Sequence, residues 1–201
     1  MKAIGILPTV IFEEDLPPQI YSALMSMIPS IDFDRDGYTE QYSGGAKAYH
    51  LTSEVMSTGF VEWAEQQMNE INKGIHGSYV EDMTITTCWI NRYKQGEFNT
   101  LHRHPWSLFS GVVFLSGCNQ EMQFVKEHSY HIQALKMTED INMAHPYPAR
   151  DGSMVIFPSD LQHIITPNEN DTIRYTIAFN AMPSKVNRGF TVQFSNCHST
   201  G

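Results

Sequence analysis

The sequence predicts a mainly β fold with helices at its N-terminal end, and two observations carry that prediction. In the first third of the chain apolar residues recur at helical spacing, whereas after Gly77 short β-like runs alternate with Gly, Pro, Asn and Asp. The length of 201 residues and the hydrophobic share of 41% suit one domain with a sizeable core. We therefore expect a single domain, residues 1–201, in which a helical extension (1–80) packs against a two-sheet β-barrel core (81–201).

Two helices account for most of the predicted extension. The first covers residues 17–28 behind a proline-rich start, with helically spaced apolar residues at Ile20, Leu24, Met27 and Ile28. The second ends near Gly74 and has one apolar face, formed by Met56, Phe60, Trp63, Met68 and Ile71. Core packing explains this face, so we assign it no cofactor role. Between the helices, residues 32–49 are rich in Gly, Tyr, Ser and Asp, which predicts a loop.

Strands dominate the predicted core. From Met83 to Tyr93 the residues alternate with a period of two, which is typical of a β-strand. Shorter β-like runs follow at residues 110–115, 121–125, 131–135, 153–157, 163–166, 172–180 and 190–194. Many short strands with turn residues between them indicate a sandwich or a barrel.

The composition excludes several classes of partner. The net charge is -9, and the 13 Lys and Arg residues do not cluster, so the electrostatic footprint of a nucleic-acid-binding protein is missing. An anionic membrane surface is disfavoured for the same reason. The first residues are broken by Pro8 and run into acidic side chains, and no apolar run reaches 18 residues. We expect a cytoplasmic protein whose three separated cysteines are thiols.

Three histidines form the candidate metal site. His102 and His104 are separated by one residue, and a strand would point both side chains to the same face. His163 follows an apolar run and a turn containing Pro158, at the predicted start of the next strand. Three ligands leave open positions on a metal, as catalysis requires. The other histidines are expected to be ordinary polar side chains: His50, His76, His128, His131, His145 and His198.

A second pair of side chains lies further along. Arg174 and Thr176 share one face of a predicted strand that is otherwise apolar, so the guanidinium requires an anionic partner. The anion could be a ligand carboxylate, to which Tyr93 could also donate a hydrogen bond. On the residues alone, an Arg at a wet sheet edge or paired with a protein carboxylate explains the pattern equally well, and Tyr93 could be an inward core aromatic.

The spacing of these residues resembles a known superfamily. Tyr93, Gly96, His102 and position 104 reproduce the Tyr-x-x-Gly-x5-His-x-Asp pattern of the iron(II)/2-oxoglutarate oxygenases of prolyl-hydroxylase type. In that family a distal His is followed some ten residues later by Arg-x-Ser/Thr, and here Arg174 follows His163 by 11 residues. More narrowly, the chain is similar to oxygenases common in phage and marine bacterial genomes. The matching motifs lie between residues 89 and 180.

The resemblance implies a fold, an activity and a set of roles. The fold would be a double-stranded β-helix, or jelly roll. Fe(II) would be held by the catalytic residues His102, His104 and His163, and the co-substrate 2-oxoglutarate by Arg174, Thr176 and Tyr93. The protein would then be a dioxygenase that hydroxylates a peptide side chain or a small molecule with release of succinate and CO2.

The second metal ligand departs from the family pattern. The family has Asp or Glu where this chain has His104, so one negative charge is missing from the site. The native metal is therefore open, because all-imidazole ligation suits Fe, Zn, Cu and Ni. Asp160 or Glu97 could supply a carboxylate from a nearby loop, although neither is in phase with the predicted strands.

Two other functions fit parts of the pattern. Cupins share the jelly roll, and Gly96, His102 and His104 match the start of their first motif, which would give a metal-dependent dioxygenase or isomerase without 2-oxoglutarate. Their motif continues with a Glu four or five residues after the second His, where this chain has Leu108 and Phe109. The other alternative is a non-catalytic jelly roll with incidental or zinc-binding histidines. The sequence leaves the substrate and the oligomeric state open.

Overall fold

The structure, a computed structural model, describes residues 9–34, 43–51, 53–76, 82–118, 122–125, 144–187 and 191–193. Its helices are α1 (Pro18–Met27), which continues as a 3-10 turn (Ile28–Ser30), α2 (Ser53–Met56) and α3 (Phe60–His76). None of these helices is both long enough and apolar enough to cross a membrane, within the residues described.

The strands form two larger sheets and one hairpin. Their bounds are β1 (Phe12–Asp15), β2 (Ser43–Gly44), β3 (Lys47–His50), β4 (Met83–Tyr93), β5 (Phe98–His102), β6 (Phe109–Ser116), β7 (Met122–Val125), β8 (Ala144–Tyr147), β9 (Ser153–Pro158), β10 (Gln162–Ile165), β11 (Arg174–Pro183), β12 (Lys185–Asn187) and β13 (Thr191–Gln193). The six-stranded main sheet has the order β1-β9-β6-β11-β4-β3. The five-stranded minor sheet has the order β2-β5-β10-β7-β8, and β12 pairs with β13.

From β4 onward the chain alternates between the two sheets. Strands β4, β6, β9 and β11 lie in the main sheet, while β5, β7, β8 and β10 lie in the minor sheet, and all neighbouring pairs among them are antiparallel. Eight strands exchanged in this way between two sheets make the predicted jelly roll. The minor sheet places β5 beside β10, which brings two distant segments of sequence together.

The helices cover one face of the main sheet. In α1, Pro18 occupies the first turn, where a missing N–H costs nothing, and the apolar positions Ile20 and Leu24 are buried. In α3 the apolar side of an otherwise polar helix buries Phe60 and Met68. We call the resulting cluster the helix-side core; it includes Leu24, Phe60, Met68, Ile90, Val113, Ile177 and Phe179.

The opposite face of the main sheet faces the interior of the jelly roll. This second cluster, the inner core, includes Trp89, Tyr93, Val112, Phe114, Phe124, Phe157, Ile165 and Ala178. Adjacent residues of one strand therefore belong to different cores: Ile90 packs toward the helices, and Trp89 toward the interior. This is the alternation that the sequence predicted for residues 83–93, and β4 has those bounds.

The N-terminal part is not helical throughout, which corrects our expectation. Strand β1 pairs with β9 at the edge of the main sheet, although its sequence, Phe-Glu-Glu-Asp, has no apolar alternation. Strands β2 and β3 occupy positions that we expected to be loop, and they pair with β5 and β4. Edge strands gain their hydrogen bonds from the partner strand, so a weak sequence signal is sufficient there. The boundary at residue 80 stays a prediction.

Some other predictions fall on residues outside those described. The run at 131–135 and residues 35–42 of the predicted loop lie there. Of the run at 190–194 the structure describes 191–193, which form β13. The remaining runs agree with observed strands to within a few residues: 110–115 with β6, 121–125 with β7, 153–157 with β9, 163–166 with β10 and 172–180 with β11.

Candidate metal centre

Three histidine side chains converge inside the jelly roll. One ring nitrogen from each of His102, His104 and His163 lies within 4.8 Å of the others. The ring centroids are 4.2 Å apart for His102 and His163, 5.2 Å for His102 and His104, and 5.3 Å for His104 and His163. The cluster is the one that the sequence predicted.

Strand pairing and a β-bulge bring two of these rings together. His163 of β10 is directly opposite His102 of β5, and Ile165 is opposite Asn99. Between these pairs one residue of β10 faces two of β5, which means that β5 carries one extra residue between Asn99 and His102. Because of this bulge Asn99 and His102 both point inward, although their spacing would place them on opposite faces of a regular strand.

His104 is positioned differently from the prediction. Strand β5 ends at His102, so the strand alternation that we expected to align His102 with His104 does not reach His104. A turn carries it instead: the His104 N–H donates to the Ser159 carbonyl at 2.8 Å, and Ser107 N–H donates to the His104 carbonyl at 3.3 Å. His163 is the second residue of β10, not the first.

Backbone carbonyls orient two of the three rings. His102 Nδ1 lies 2.7 Å from the Thr100 carbonyl, and His163 Nδ1 lies 3.1 Å from the Leu161 carbonyl. A carbonyl can only accept, so each Nδ1 carries the proton and each Nε2 is the nitrogen that carries the lone pair. This is the usual arrangement around a histidine that ligates a metal.

Burial keeps the imidazoles neutral. Desolvation lowers the pKa of His102 below its usual value, and it lowers the pKa of His163 well below it, with the neighbouring His102 adding to the effect. Desolvation, followed by the proximity of His102, lowers the pKa of His104 to about 4. Neutral imidazole is the form that binds metals, so all three rings are ready to coordinate a cation at pH 7. Such a donor set fits a first-row transition metal.

The histidines line a cleft with polar and apolar walls. Its polar residues other than the histidines are Asn91, Tyr93, Asn99, Ser110 and Thr176. Its apolar walls come from both sheets and include Trp89, Val112, Phe157, Ile165 and Ala178. Tyr93 and Thr176 were predicted as site residues, and the structure places both on the same cleft as the histidines.

Arg174 is the first residue of β11 and shares a strand face with Thr176, although it is not among the residues that line the cleft. It is 3% exposed, its Nη1 donates to the Thr166 carbonyl at 3.0 Å, and its Cζ lies 5.4 Å from the centre of the Tyr93 ring. Its Nε is buried and has no hydrogen-bond partner within the described part of the chain. The alternative of a wet sheet edge is therefore wrong, and among these residues no carboxylate forms an ion pair with it. A buried guanidinium with an unused donor is the cradle expected for an anionic ligand.

Sequence reasoning missed two buried amides beside this arginine. Asn91 Nδ2 lies 3.4 Å from Thr176 Oγ1, and Asn99 Nδ2 donates to the Tyr93 hydroxyl at 3.0 Å. Asn91 lies two residues before Tyr93 on β4 and therefore on the same strand face, so the period-two pattern could have identified it. Asn99 could not be found in this way, because the bulge in β5 changes its face.

The structure separates the other candidates from the cluster. Asp160 is exposed, and Glu97 Oε2 accepts a hydrogen bond from the Lys94 N–H at 2.6 Å in a turn. Among the residues described, the metal-ligand cluster contains neither of them. His50 lies 6.4 Å from the Trp89 ring and His145 is exposed. The side chains of His76, His128, His131 and His198 lie outside the described residues.

Comparison with known proteins agrees with this geometry. Residues 87–180, which contain every predicted site residue, match a family described as "Putative 2OG-Fe(II) oxygenase". No curated protein sequence matches the chain.

Solved structures share the fold at low sequence identity. A prolyl-4-hydroxylase from Pseudomonas putida has a TM-score of 0.61 and 16% identity, covering 86% of this chain and 92% of its own. HygX from Streptomyces hygroscopicus, solved with nickel, 2-oxoglutarate and hygromycin B, has a TM-score of 0.60 and 10% identity over 88% and 84%. A Trichoplax adhaerens prolyl hydroxylase, in complex with a peptide fragment of hypoxia inducible factor, has a TM-score of 0.60 and 10% identity over 86% and 83%.

Proposed function

We propose that this chain is a 2OG-Fe(II) oxygenase, a non-haem dioxygenase that hydroxylates a peptide side chain or a small molecule; the family match over residues 87–180 supports the assignment. The reaction consumes 2-oxoglutarate and dioxygen and yields succinate, CO2 and the hydroxylated product. The single observation that carries the proposal is a cleft lined by three neutral imidazoles and by Tyr93, whose ring contacts a buried guanidinium that lacks an anionic partner among the described residues.

The imidazoles of His102, His104 and His163 would hold Fe(II). Three protein ligands would leave coordination positions open, as a catalytic metal requires. When bound, the iron supplies the oxidising chemistry, as cofactors do in general. The protein contributes the geometry of the ligands and a cleft whose apolar walls exclude water.

Arg174, Thr176 and Tyr93 would hold the carboxylate of 2-oxoglutarate that points away from the metal. The guanidinium supplies charge-assisted hydrogen bonds, and its unused Nε donor would gain a partner. The Thr176 hydroxyl lies on the same strand face two residues further on. The Tyr93 hydroxyl accepts a bond from Asn99, and it would donate a hydrogen bond to the same carboxylate.

The relatives support two classes of substrate. The Trichoplax prolyl hydroxylase was solved with a peptide fragment, and HygX was solved with the small molecule hygromycin B. The net charge of -9 favours neither nucleic acid nor another polyanion. We therefore propose a peptide side chain or a small molecule as the substrate.

The test measures succinate after Fe(II), 2-oxoglutarate and oxygen are added, with Arg174→Ala beside the wild type. We expect wild-type turnover and a loss of at least about 100-fold in the variant, because a buried charge-assisted bond is removed. Arg150→Ala is the matched control, since Arg150 is a surface residue paired with Glu13 and Asp15. Full turnover by Arg174→Ala would contradict the assigned co-substrate site.

Thermal unfolding separates this proposal from its two rivals. A ligand that binds only the folded protein raises its melting temperature, so 2-oxoglutarate or its unreactive analogue should protect the metal-loaded protein. A cupin-type enzyme would bind the metal without this protection. A non-catalytic jelly roll with incidental histidines would leave purification without metal, and chelators would not change its melting temperature.

A further inference from the structure

His104 lacks the support that orients the other two ligands. It lies outside the strands, and none of the hydrogen bonds found among the described residues uses its ring. The rings of His102 and His163, in contrast, each contact a backbone carbonyl through Nδ1. An imidazole that is held only at its backbone can still rotate about two side-chain bonds.

The Trp89 ring lies beside the ring of His104. Trp89 is 7% exposed and points inward from β4, directly opposite Ala178 on β11 and His50 on β3. Its ring centroid lies 5.8 Å from that of His104, with an angle of 48° between the planes. The His50 ring lies 6.4 Å from the Trp89 ring. Trp89 is thus fixed on three strands and presents a rigid aromatic surface to one metal ligand.

The backbone of His104 is fixed separately. Its N–H donates to the Ser159 carbonyl, and the Ser159 N–H donates to the Leu108 carbonyl at 3.1 Å. The Ser159 hydroxyl lies 2.8 Å from that of Ser110, which in turn lies 2.8 Å from Asn180 Oδ1. The turn therefore cannot shift easily, and the rotation of the ring is the freedom that remains.

We propose that Trp89 is a positioning residue for the third metal ligand, replacing by ring packing the hydrogen bond that orients His102 and His163. The inference rests on the proposed function, in which the three histidines bind the metal. A ring that is free to rotate must be ordered when the metal binds, so loss of the indole should weaken binding through entropy. Removal of an orienting neighbour typically lowers metal affinity by about 10–100-fold.

The experiment uses Co(II), whose visible absorption reports its coordination, and calorimetry to measure affinity. We expect Trp89→Ala to bind Co(II) about ten-fold more weakly, with an altered visible spectrum. Trp89→Phe, which restores a ring, should recover most of both. Trp89→Leu keeps apolar volume without a ring and serves if the alanine variant does not fold. Ile90→Ala is the matched control, because Ile90 is buried in the helix-side core. Its replacement should destabilise the fold without changing Co(II) binding.

A double-mutant cycle shows whether Trp89 acts through His104. In a His104→Ala background, replacement of Trp89 by Ala should not weaken Co(II) binding further, because the ligand that it positions is gone. Equal losses with and without His104, or an unchanged affinity and spectrum in Trp89→Ala and Trp89→Leu, would overturn the inference. Failure of the wild type to bind Co(II) would instead overturn the proposed function.

Discussion

The two faces of strand β11 use the same backbone for different purposes. On one face Ile177 and Phe179 are 0% exposed and belong to the helix-side core. On the other face Arg174 and Thr176 are nearly as buried, at 3% and 1%, yet they are polar. Burial alone therefore does not distinguish a structural residue from a functional one in this protein.

The difference lies in whether each buried group is satisfied. Apolar side chains of the helix-side core gain free energy by leaving water. The inner face holds a guanidinium with an unpartnered Nε and imidazoles that burial keeps neutral. Burying these polar groups costs free energy of folding. Such groups are expected where a ligand completes them, and the comparison predicts that the two faces respond oppositely to substitution.

The largest effect is expected on the helix side, for Phe179→Ala. The Phe179 ring meets Phe60 edge to face at 5.8 Å and lies so close to Gly111 that a Cβ there would be 2.1 Å from it. Its loss should lower the free energy of unfolding by about 3–5 kcal/mol, measured by urea denaturation. Ile173→Ala, at a position 39% exposed, is the control and should cost less than about 0.5 kcal/mol. A cost below 1 kcal/mol for Phe179→Ala would contradict the division into two faces.

The reverse result is expected for Arg174→Met on the inner face. Replacing a buried charge by an apolar side chain of similar length is often neutral or stabilising, so the metal-free variant should unfold within about 1 kcal/mol of the wild type or later. The metal-loaded variant should, however, lack the stabilisation that 2-oxoglutarate gives the metal-loaded wild type, which is about 2.7 kcal/mol at 100 times the dissociation constant. Urea denaturation with and without the ligand measures both. A variant as unstable as Phe179→Ala would make Arg174 a structural residue.

The sequence predicts the parts of the fold whose pattern is local. The alternation of β4 and the apolar spacing of α1 depend on neighbouring residues, and both were predicted closely. Strands β1 and β3 were missed, because their hydrogen bonds come from β9 and β4 and their own residues show no alternation that requires a strand. Pairing with a distant partner leaves little trace in a short edge strand.

The predictions for the site also succeed where the signal is local and fail where it is not. Residue identity and spacing were sufficient to select His102, His104 and His163, which the structure brings together. The reason given for His104 was wrong, since a turn positions it and not a strand. Asn99 was missed because a single extra residue in β5 reverses its face. The residues that form the ligand set can thus be predicted from the sequence, but the bulges and turns that orient them cannot.

A smaller effect is expected when His104 is replaced by Asp. The carboxylate restores a negative charge beside the metal, and oxygen ligands suit Mn(II) better than imidazole does. We expect the variant to keep metal binding and to shift its preference from Co(II) toward Mn(II) by about ten-fold, or 1.4 kcal/mol. Competition calorimetry measures the ratio, with Asp160→Asn as a control at an exposed carboxylate. Complete loss of metal would mean that position 104 is not a ligand.

The smallest effect is the contribution of one histidine to the pH dependence of stability. Burial lowers the folded-state pKa of His104 to about 4, below the unfolded value of 6.5. The unfolded chain therefore takes up the proton first as the pH falls, so stability is constant above about pH 7 and declines between 6.5 and 4. His104→Gln removes this contribution. Between pH 7 and 5.5 the free energy of unfolding should therefore fall by about 1 kcal/mol less in the variant than in the wild type. Carboxylates and the other histidines titrate in both proteins, so the difference between the two metal-free urea curves isolates one ring. Parallel pH profiles would show that the His104 ring is not protected from protonation in the folded state.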